Sequence, residues 1–284
     1  MKQTTGESTE TSKFLGGSIK RSEIENVTFV SSISGSRADD VAKVWDVSAQ
    51  GDKSILAWTK ETSAPYTVYI GSDYEMFASI NAGYLFAYVG NSSVCTATET
   101  ITNLDLLNVK SVTSMQGMFQ RLGYYSMTKL DLGENFDTSN VTNMSYMFAY
   151  CGYTAMGEID LGDLFYTSNV TNMNSMFAHC GYKALTEFTL GTNFDTSNVE
   201  NMSSMFKNFG FTALKALDLS SGTGKDNTTQ FNTSSVTNMT EMFSQTGDQA
   251  MTTFNLGNNF DTSSVTNMEK MFYFLGEKKL TKVD

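Results

Sequence analysis

Hydrophobic and polar positions recur in one fixed order along most of the chain. The segment FDTSNVTNMSYMFAYCG begins at Phe136, and near copies begin at Tyr166, Phe194, Phe231 and Phe260. Successive copies are 29 residues apart, as for Met144 and Met173, except for a step of 37 residues between Met202 and Met239. A more degenerate copy precedes them, with Met115 in the place of Met144. A period of roughly 20–30 residues is typical of leucine-rich repeats, whose copies bury their apolar faces against one another.

Each copy divides into two halves with different hydrophobic periods. The first half has the form L-x-x-L-x-L, as in residues 127–132, which predicts a short strand with alternate side chains turned inward. The second half has the apolar spacing of one face of a short helix. Its members in the first near-verbatim copy are Val141, Met144, Met147, Phe148 and Cys151. The polar residues 138–140 are expected to cap the start of this helix, and Gly152 its end.

These elements predict an α/β leucine-rich-repeat solenoid of about six strand-turn-short-helix coils. Paired strands lie about 4.8 Å apart and packed helices roughly 8–10 Å apart, so the strands are expected on the inner face of a curved stack. We expect residues 1–17 to be a disordered linker and residues 18–100 a β-rich N-terminal cap with a degenerate half-repeat. An independent ligand-binding domain is the alternative for residues 18–100. Residues 101–284 are expected to form the solenoid, with eight extra residues between 220 and 230 and a C-terminus cut mid-repeat.

The composition argues against several classes of function. Thirty acidic residues against 19 basic residues give a net charge of -11, which disfavours binding to nucleic acid or to an anionic membrane. The sequence has no run of about 18 apolar residues, so we expect no membrane insertion. One histidine and three cysteines provide neither a Ser/His/Asp set nor a metal cluster. We therefore expect no enzymatic activity, no cofactor and no metal, and we interpret the methionines as apolar filler.

The repeated segment resembles a known family. N-V-T-N-M-x-x-M-F, preceded by L-D-L and F-D-T-S, is similar to the BspA-like leucine-rich repeats of microbial surface proteins. The stretch W-D-V-S-A-Q-G-D-K-S-I-L-A-W, from Trp45, resembles the segment that precedes those repeats. The resemblance covers roughly residues 43–284 and implies a secreted or wall-attached protein, often an adhesin that contacts host molecules or other cells. The shortened turn at residues 107–115 and the insertion before Phe231 depart from the family pattern.

A column of polar side chains is the first candidate binding site. The residue between two inward positions of each strand is expected to point out from the inner face. These residues are Asp105, Asp131, Asp160, Thr189, Asp218 and Asn255. Neighbouring carboxylates about 5 Å apart repel by roughly 1 kcal/mol in water and about 3 kcal/mol at an intermediate dielectric, so solvent or a cation must offset them. The alternatives are a surface for a basic partner or Ca²⁺ and a solvated polar ladder, and no loop has EF-hand spacing.

An aromatic column directly after the recurring glycines is the second candidate. Its members are Tyr124, Tyr153, Tyr182 and Phe211. Such a stripe can stack on a sugar or a protein partner, or it can pack over the next coil. Asp248 and Glu277 occupy the next two places, so the aromatic column covers only the middle coils.

The sole histidine and two cysteines are interpreted as structural. His179 directly precedes Cys180, and adjacent helical side chains do not face each other, so we expect no Cys–His pair. Cys151 and Cys180 occupy equivalent positions in successive coils. The expected helix spacing exceeds the roughly 7 Å limit for a disulfide, so two separate buried thiols are predicted.

Together these features favour the binding or display region of a microbial cell-surface adhesin-like protein. We expect it to be extracellular, at the cell surface or cell wall, and monomeric as this region alone. Its expected partner is a protein or glycan of a host or of a neighbouring cell, contacted through the solenoid surface. A non-binding structural spacer that projects another domain is the alternative.

Overall fold

The computed structural model describes residues 1–3, 9–36, 41–191, 193–220 and 231–284. Within these ranges the one α-helix is Ile33–Ser36, and 3-10 helices of three residues occur at Phe14–Gly16, Arg21–Glu23 and Leu104–Leu106. The predicted α/β leucine-rich-repeat solenoid with short helices is therefore wrong. Short strands and successive tight turns form the repeats instead.

The strands of the described residues form several small sheets. In chain order they are β1 Ile24–Val30, β2 Lys43–Asp46, β3 Leu56–Thr59, β4 Tyr66–Gly71, β5 Met76–Phe77, β6 Ile101–Thr102, β7 Leu107–Asn108, β8 Lys129–Asp131, β9 Glu158–Asp160, β10 Ala216–Asp218, β11 Thr253–Asn255 and β12 Lys282–Val283. One five-stranded sheet has the order β2-β3-β4-β1-β6, and the others are β5-β7, β8-β9 and β10-β11-β12. β1 is parallel to β4 and β6, whereas β3 is antiparallel to β2 and β4.

The N-terminal segment is hydrogen-bonded to residues 85–90 through a backbone amide and a guanidinium group. The Gly90 amide donates to the Ile24 carbonyl oxygen at 2.7 Å. Arg21 Nη1 donates to the Leu85 and Ala87 carbonyl oxygens at 2.9 and 3.0 Å. Arg21 is 1% exposed, and this burial lowers its pKa to about 10. The guanidinium therefore donates to two carbonyl oxygens at the N-terminal edge of the stack. In later copies, the equivalent carbonyl oxygens accept hydrogen bonds from backbone amides of the preceding copy.

The described part of residues 1–17 differs from the disordered linker that we predicted. Residues 4–8 lie outside the described residues. Phe14 and Leu15 are buried, and the Phe14 amide donates to the Ile19 carbonyl oxygen at 2.9 Å. Both side chains belong to the hydrophobic core that contains Phe29 of β1. The segment around Phe14 therefore packs with the N-terminal sheet because its apolar side chains are buried there.

The repeats are stacked turns in which alternate backbone amides bond to the next copy. The amides of Met144, Tyr146, Phe148 and Tyr150 donate to carbonyl oxygens 28 residues further along, at 2.8–3.0 Å. The intervening amides close tight turns, as from Met147 to the Met144 carbonyl oxygen at 3.1 Å. Parallel bridges also join one position through all copies, and its members are Asn81, Ser114, Asn143, Asn172, Asn201, Asn238 and Asn267. Successive copies therefore lie side by side in one register.

The helix prediction fails because of a backbone conformation that the hydrophobic pattern does not reveal. An α-helix keeps right-handed φ angles throughout and closes its amide bonds within itself. Tyr146 and Tyr150 have left-handed φ angles of 58° and 60°. Such residues occur singly and interrupt a helix. Met144 and Phe148 are nevertheless fully buried, since the turns direct them inward as a helix face would.

The residues predicted to cap the helices have other roles. Thr138 Oγ1 donates to the carbonyl oxygen of Tyr166 in the next copy at 2.7 Å. Gly152 has the expected left-handed φ of 53°, although it ends a turn rather than a helix. A Cβ atom on Gly152 would lie 2.3 Å from the Met156 Cβ, so only glycine fits this position.

A column of stacked phenylalanine rings measures the spacing of the copies. Its members are Phe86, Phe119, Phe148, Phe177, Phe206, Phe243 and Phe272. Neighbouring ring centroids are 5.2–5.7 Å apart. This spacing is near that of paired strands and far below the roughly 8–10 Å of packed helices, so the predicted cause of curvature is absent.

The last copy is less buried than the copies before it. Met268 is 47% exposed, whereas the equivalent Met144 is fully buried, because no further copy covers Met268 among the described residues. The eight extra residues fall almost entirely within residues 221–230, which lie outside the described part of the chain.

Candidate functional site

Four members of the predicted polar column lie at the strand side of the stack, the side formed by β8–β11. Asp131 at the end of β8 is in register with Asp160 of β9, and Asp218 of β10 is in register with Asn255 of β11. The three aspartates are exposed and Asn255 is half-buried. The residues that precede them in the strands are buried, and they are Leu130, Ile159, Leu217 and Phe254. The two-residue period of a strand therefore turns the column outward.

The other two members of the predicted column are adjacent to these strands but are not part of them. Asp105 is in the 3-10 helix Leu104–Leu106, and Thr189 lies in an irregular segment between β9 and β10. Both side chains are exposed. The structure thus brings the column together as two strand pairs with two flanking members, rather than as one uninterrupted ladder.

The aspartates of the column also have a local role that our sequence analysis missed. Asp131 Oδ1 accepts a hydrogen bond from the Gly133 amide at 2.9 Å, and Asp160 Oδ1 accepts one from Gly162 at 3.0 Å. Both glycines have left-handed φ angles, of 76° and 73°. Aspartate closes such a turn through its own side chain. The recurring D-L-G sequence was the available signal for this role.

One cationic side chain already lies among these carboxylates. Lys129 Nζ is 2.9 Å from Glu158 Oε1 and 3.4 Å from Asp131 Oδ2, so it bridges β8 and β9. The hydrogen bond to Glu158 is the main cause that raises the pKa of Lys129. In the next two copies the position of Lys129 is occupied by Glu158 and Glu187. A primary ammonium group therefore fits this surface, and the following copies provide carboxylates without such a lysine.

Two hollows include residues of the strand side, and another adjoins the N-terminal sheet. The hollow at the N-terminal sheet, of about 640 Å³, is lined by Asp105, three further carboxylates and Lys110. The second, of about 380 Å³, contains Asp131 and Lys129. The third, of about 430 Å³, contains Asp160 and three further carboxylates, with no basic residue among the described residues of its lining. Carboxylates therefore outnumber basic side chains in the lining of all three hollows, and in the third the Glu158 carboxylate is paired with Lys129 of the preceding strand.

The predicted aromatic column is a continuous stack on the turn side, the side formed by the glycine-terminated turns. The ring centroids of Tyr124 and Tyr153 are 4.7 Å apart, those of Tyr153 and Tyr182 4.5 Å, and those of Tyr182 and Phe211 4.7 Å. The planes of neighbouring rings are within 10° of parallel. Each middle ring is covered on both faces by its neighbours and presents only its edge and hydroxyl group. Stacking of a sugar on Tyr153 therefore has no free ring face to use.

A second stack, which we did not find from the sequence, adjoins the aromatic column. The Arg121 guanidinium lies 4.6 Å from the ring centroid of Tyr150, and Tyr150 stacks on His179 at 4.3 Å. Burial, followed by the positive charges of Lys207 and Arg121, lowers the pKa of His179 to about 4. His179 is therefore neutral at pH 7 and acts as one more aromatic ring. The 29-residue spacing of Arg121, Tyr150 and His179 was the signal for this stack.

The described ranges contain no group of three His, Cys, Asp or Glu side chains placed to hold a metal ion. In the same ranges, no helix has both the length and the apolar character that crossing a membrane requires. Cys95, Cys151 and Cys180 are buried free thiols. Burial raises the pKa of Cys95 to about 11 and raises the pKa of Cys151 well above its ordinary value. Both thiols are therefore protonated at neutral pH.

The fold and the two sides define a class: a repeat protein of stacked turns and short parallel strands, with an acidic strand side and an aromatic turn side. A sequence family described as "Mycoplasma protein of unknown function, DUF285" matches residues 91–217 and 186–277. These matches span more than half of the chain, and the chain belongs to this family. No curated protein and no solved structure matches the chain. The resemblance of the repeats to the BspA-like family, and the surface location that it implies, stay predictions.

Proposed function

We propose that the chain is an extracellular binding or display region of a microbial cell-surface protein and that it recognises a basic partner through its strand side. The observation that carries this proposal is the ammonium group of Lys129, which bridges Asp131 and Glu158. Asp160 and Glu187 provide the equivalent carboxylates one copy further along. A lysine or arginine side chain of a host or neighbouring-cell protein would take the place that Lys129 takes in the preceding copy.

A single ion pair on this surface contributes little to affinity, so recognition requires several of them. Exposed ion pairs contribute roughly 0.2–1 kcal/mol each. A partner must therefore make several such contacts along successive strands. The net charge of -11 attracts basic partners from a distance and raises their association rate. The strand side thus favours an extended, positively charged protein surface over a neutral glycan.

The test uses a labelled oligolysine peptide as the probe and a triple variant of the strand side. Replacement of Asp131, Asp160 and Asp218 by asparagine removes three charges and keeps the Oδ1 acceptor that closes each turn. We expect a several-fold weaker affinity in fluorescence anisotropy titrations at moderate salt. The control variant replaces Glu200, Glu269 and Glu277 by glutamine, because these carboxylates are exposed but lie outside the strand side. Equal weakening in both variants would indicate unspecific attraction and would contradict the proposal.

A structural spacer is the second candidate, and the unbroken row of parallel bridges from Asn81 to Asn267 favours it. Such a row gives a stiff body whose length grows with each copy. A spacer predicts no saturable binding to panels of host matrix proteins or glycans. It also predicts unchanged cell adherence when whole copies are deleted. Saturable binding that the strand-side triple variant weakens would favour the binding region instead.

A further inference from the structure

Two of the three cysteines occupy the same place in neighbouring copies. Cys151 and Cys180 are both fully buried, and each precedes a left-handed glycine. The Gly181 amide donates to the Cys151 carbonyl oxygen at 3.1 Å, which joins the two copies at this point. Both side chains belong to the core of the stack. Their two thiols therefore lie in one column, in consecutive copies.

The neighbouring columns report how far apart the two copies are here. Tyr150 and His179, one residue before the cysteines, have ring centroids 4.3 Å apart. Tyr153 and Tyr182, two residues after them, have centroids 4.5 Å apart. A disulfide forms between residues whose Cα atoms are about 4.4–6.8 Å apart, and paired strands lie about 4.8 Å apart. The wide helix spacing that argued against a disulfide does not exist in this fold.

We propose that Cys151 and Cys180 form an oxidation site at which a disulfide joins two neighbouring copies of the repeat. The oxidant is a low-molecular-weight disulfide. The thiolate of one cysteine attacks this disulfide, which releases one small thiol and leaves a mixed disulfide on the protein. The thiolate of the second cysteine then attacks the protein sulfur and releases the second small thiol. The protein loses two protons and two electrons, and the oxidant takes them up as its two thiols.

The burial of the pair determines when this reaction occurs. Burial, together with the neighbouring Cys180 thiol, raises the pKa of Cys151, so little thiolate is present in the folded stack. No solvent path reaches a side chain with zero exposure. The disulfide therefore forms while the chain folds, before the copies on either side cover the pair. Once formed, it is shielded from reductants by the same burial.

Cys95 provides an internal control for selectivity. It lies near the N-terminal sheet, where its Sγ is 3.8 Å from the Ile24 carbonyl oxygen. It does not belong to the column of Cys151 and Cys180. Random oxidation of the unfolded chain, in which all three thiols are accessible, would join Cys95 to one of the others in part of the molecules. Oxidation directed by the fold leaves Cys95 as a free thiol.

The first experiment maps the bonds in the wild-type chain. Reduced, unfolded protein is refolded in a buffer of oxidised and reduced glutathione, free thiols are alkylated, and the protein is digested without reductant. We expect mass spectrometry to find one cross-linked peptide pair with Cys151 and Cys180, and alkylated Cys95. Three alkylated cysteines, or a bond that involves Cys95, would overturn the proposal.

The second experiment asks whether the fold accommodates the bond. The disulfide closes a loop between two copies, so the oxidised protein is expected to have a higher urea midpoint than the reduced protein. Cys95→Ala is expected to retain this difference, and Cys151→Ala to lose it. If Cys151→Ala does not fold, wild type and Cys95→Ala still decide the outcome. An equal or lower midpoint for the oxidised protein contradicts an oxidation site that fits the stack.

Discussion

The strand side and the turn side are built from the same repeats, but identical side chains in neighbouring copies have opposite effects on the two sides. On the strand side, Asp131 and Asp160 lie in register, exposed, and their like charges repel. On the turn side, Tyr153 and Tyr182 lie 4.5 Å apart with nearly parallel rings, an arrangement that contributes to stability. These carboxylates are exposed to solvent, and Lys129 pairs with Asp131 and with Glu158 of the next strand.

This difference shows how to judge a side chain that recurs in a repeat protein. A recurring residue becomes a row on a surface, and the row is free for a partner only if its members do not satisfy one another. The tyrosine rings cover one another, so we assign them to stability. The aspartates leave an unbalanced charge, so we propose that they serve binding. Four predictions test this division, from the largest expected effect to the smallest.

The buried ring column is expected to give the largest loss of stability. Phe177 lies 5.2 Å from Phe148 and 5.6 Å from Phe206, measured between ring centroids. Phe177→Ala is expected to lower the free energy of unfolding by about 3–5 kcal/mol, because it leaves a cavity in the core. Urea unfolding curves recorded by fluorescence measure this loss in the free energy of unfolding. Phe272→Ala is the matched control, since Phe272 is 45% exposed, and an equal loss there would contradict the burial argument.

The left-handed glycine is expected to give the next largest effect. Gly152→Ala places a Cβ atom 2.3 Å from the Met156 Cβ in a conformation that costs about 1–2 kcal/mol for any other residue. We expect a loss above about 2 kcal/mol in urea unfolding. Gly191 is the control, because it has a left-handed φ of 79° and an added Cβ atom would meet no heavy atom within 4 Å. Gly191→Ala is therefore expected to show the conformational cost alone. Equal losses at both positions would show that the close contact with Met156 has no effect.

The aromatic column is expected to give an intermediate effect. Tyr153→Leu removes the two close stacking contacts within the aromatic column, which contribute about 0.5–1.5 kcal/mol each beyond their burial, and a wider contact with Tyr150. We expect a loss of about 1–3 kcal/mol in the free energy of unfolding, and no comparable loss for Tyr153→Phe, which keeps the ring. If Tyr153→Leu is as stable as the wild type, the rings do not support one another and our division of the two sides is wrong.

The neutral His179 is expected to give a smaller effect that depends on pH. Its pKa of about 4 in the folded chain is below its ordinary value of 6.5, so the unfolded chain binds the proton more readily. The contribution of His179 is therefore fully present above about pH 6.5 and decreases as the pH falls toward 4. Because the side chain is partly exposed, we expect about 1 kcal/mol rather than the full value of the shift. His179→Phe keeps the stack and is expected to lack this decrease, which unfolding curves of both proteins at several pH values measure.

The sequence allowed the period of the repeat and its buried positions to be predicted, because burial follows from hydrophobic pattern. Met144 and Phe148 are buried as expected, and the strand β8 lies where L-x-x-L-x-L predicted it. The helices were wrong because left-handed φ angles at Tyr146 and Tyr150 leave no mark in that pattern. Hydrogen bonds to a copy 28 residues away compete with local helical bonds, and the pattern of one copy does not show this competition.

The candidate sites were predictable to different degrees. The positions of Asp131 and Asp160 on one outward row followed from the two-residue period of a strand. The bridge made by Lys129 could not be predicted in this way, since it depends on which strand lies next to β8 and at what distance. Whether neighbouring rings cover both faces of the Tyr153 ring likewise depends on the spacing of the copies. The predicted helices led us to expect a spacing that was too wide.

The most direct test of the division between the two sides compares one variant from each. The affinity for the labelled oligolysine peptide and the free energy of unfolding are measured for Tyr153→Leu and for the asparagine triple variant of Asp131, Asp160 and Asp218. We predict that the triple variant loses affinity while its stability changes by less than about 0.5 kcal/mol. Tyr153→Leu is predicted to lose stability and to keep wild-type affinity. Loss of affinity in Tyr153→Leu together with wild-type affinity in the triple variant would contradict the account.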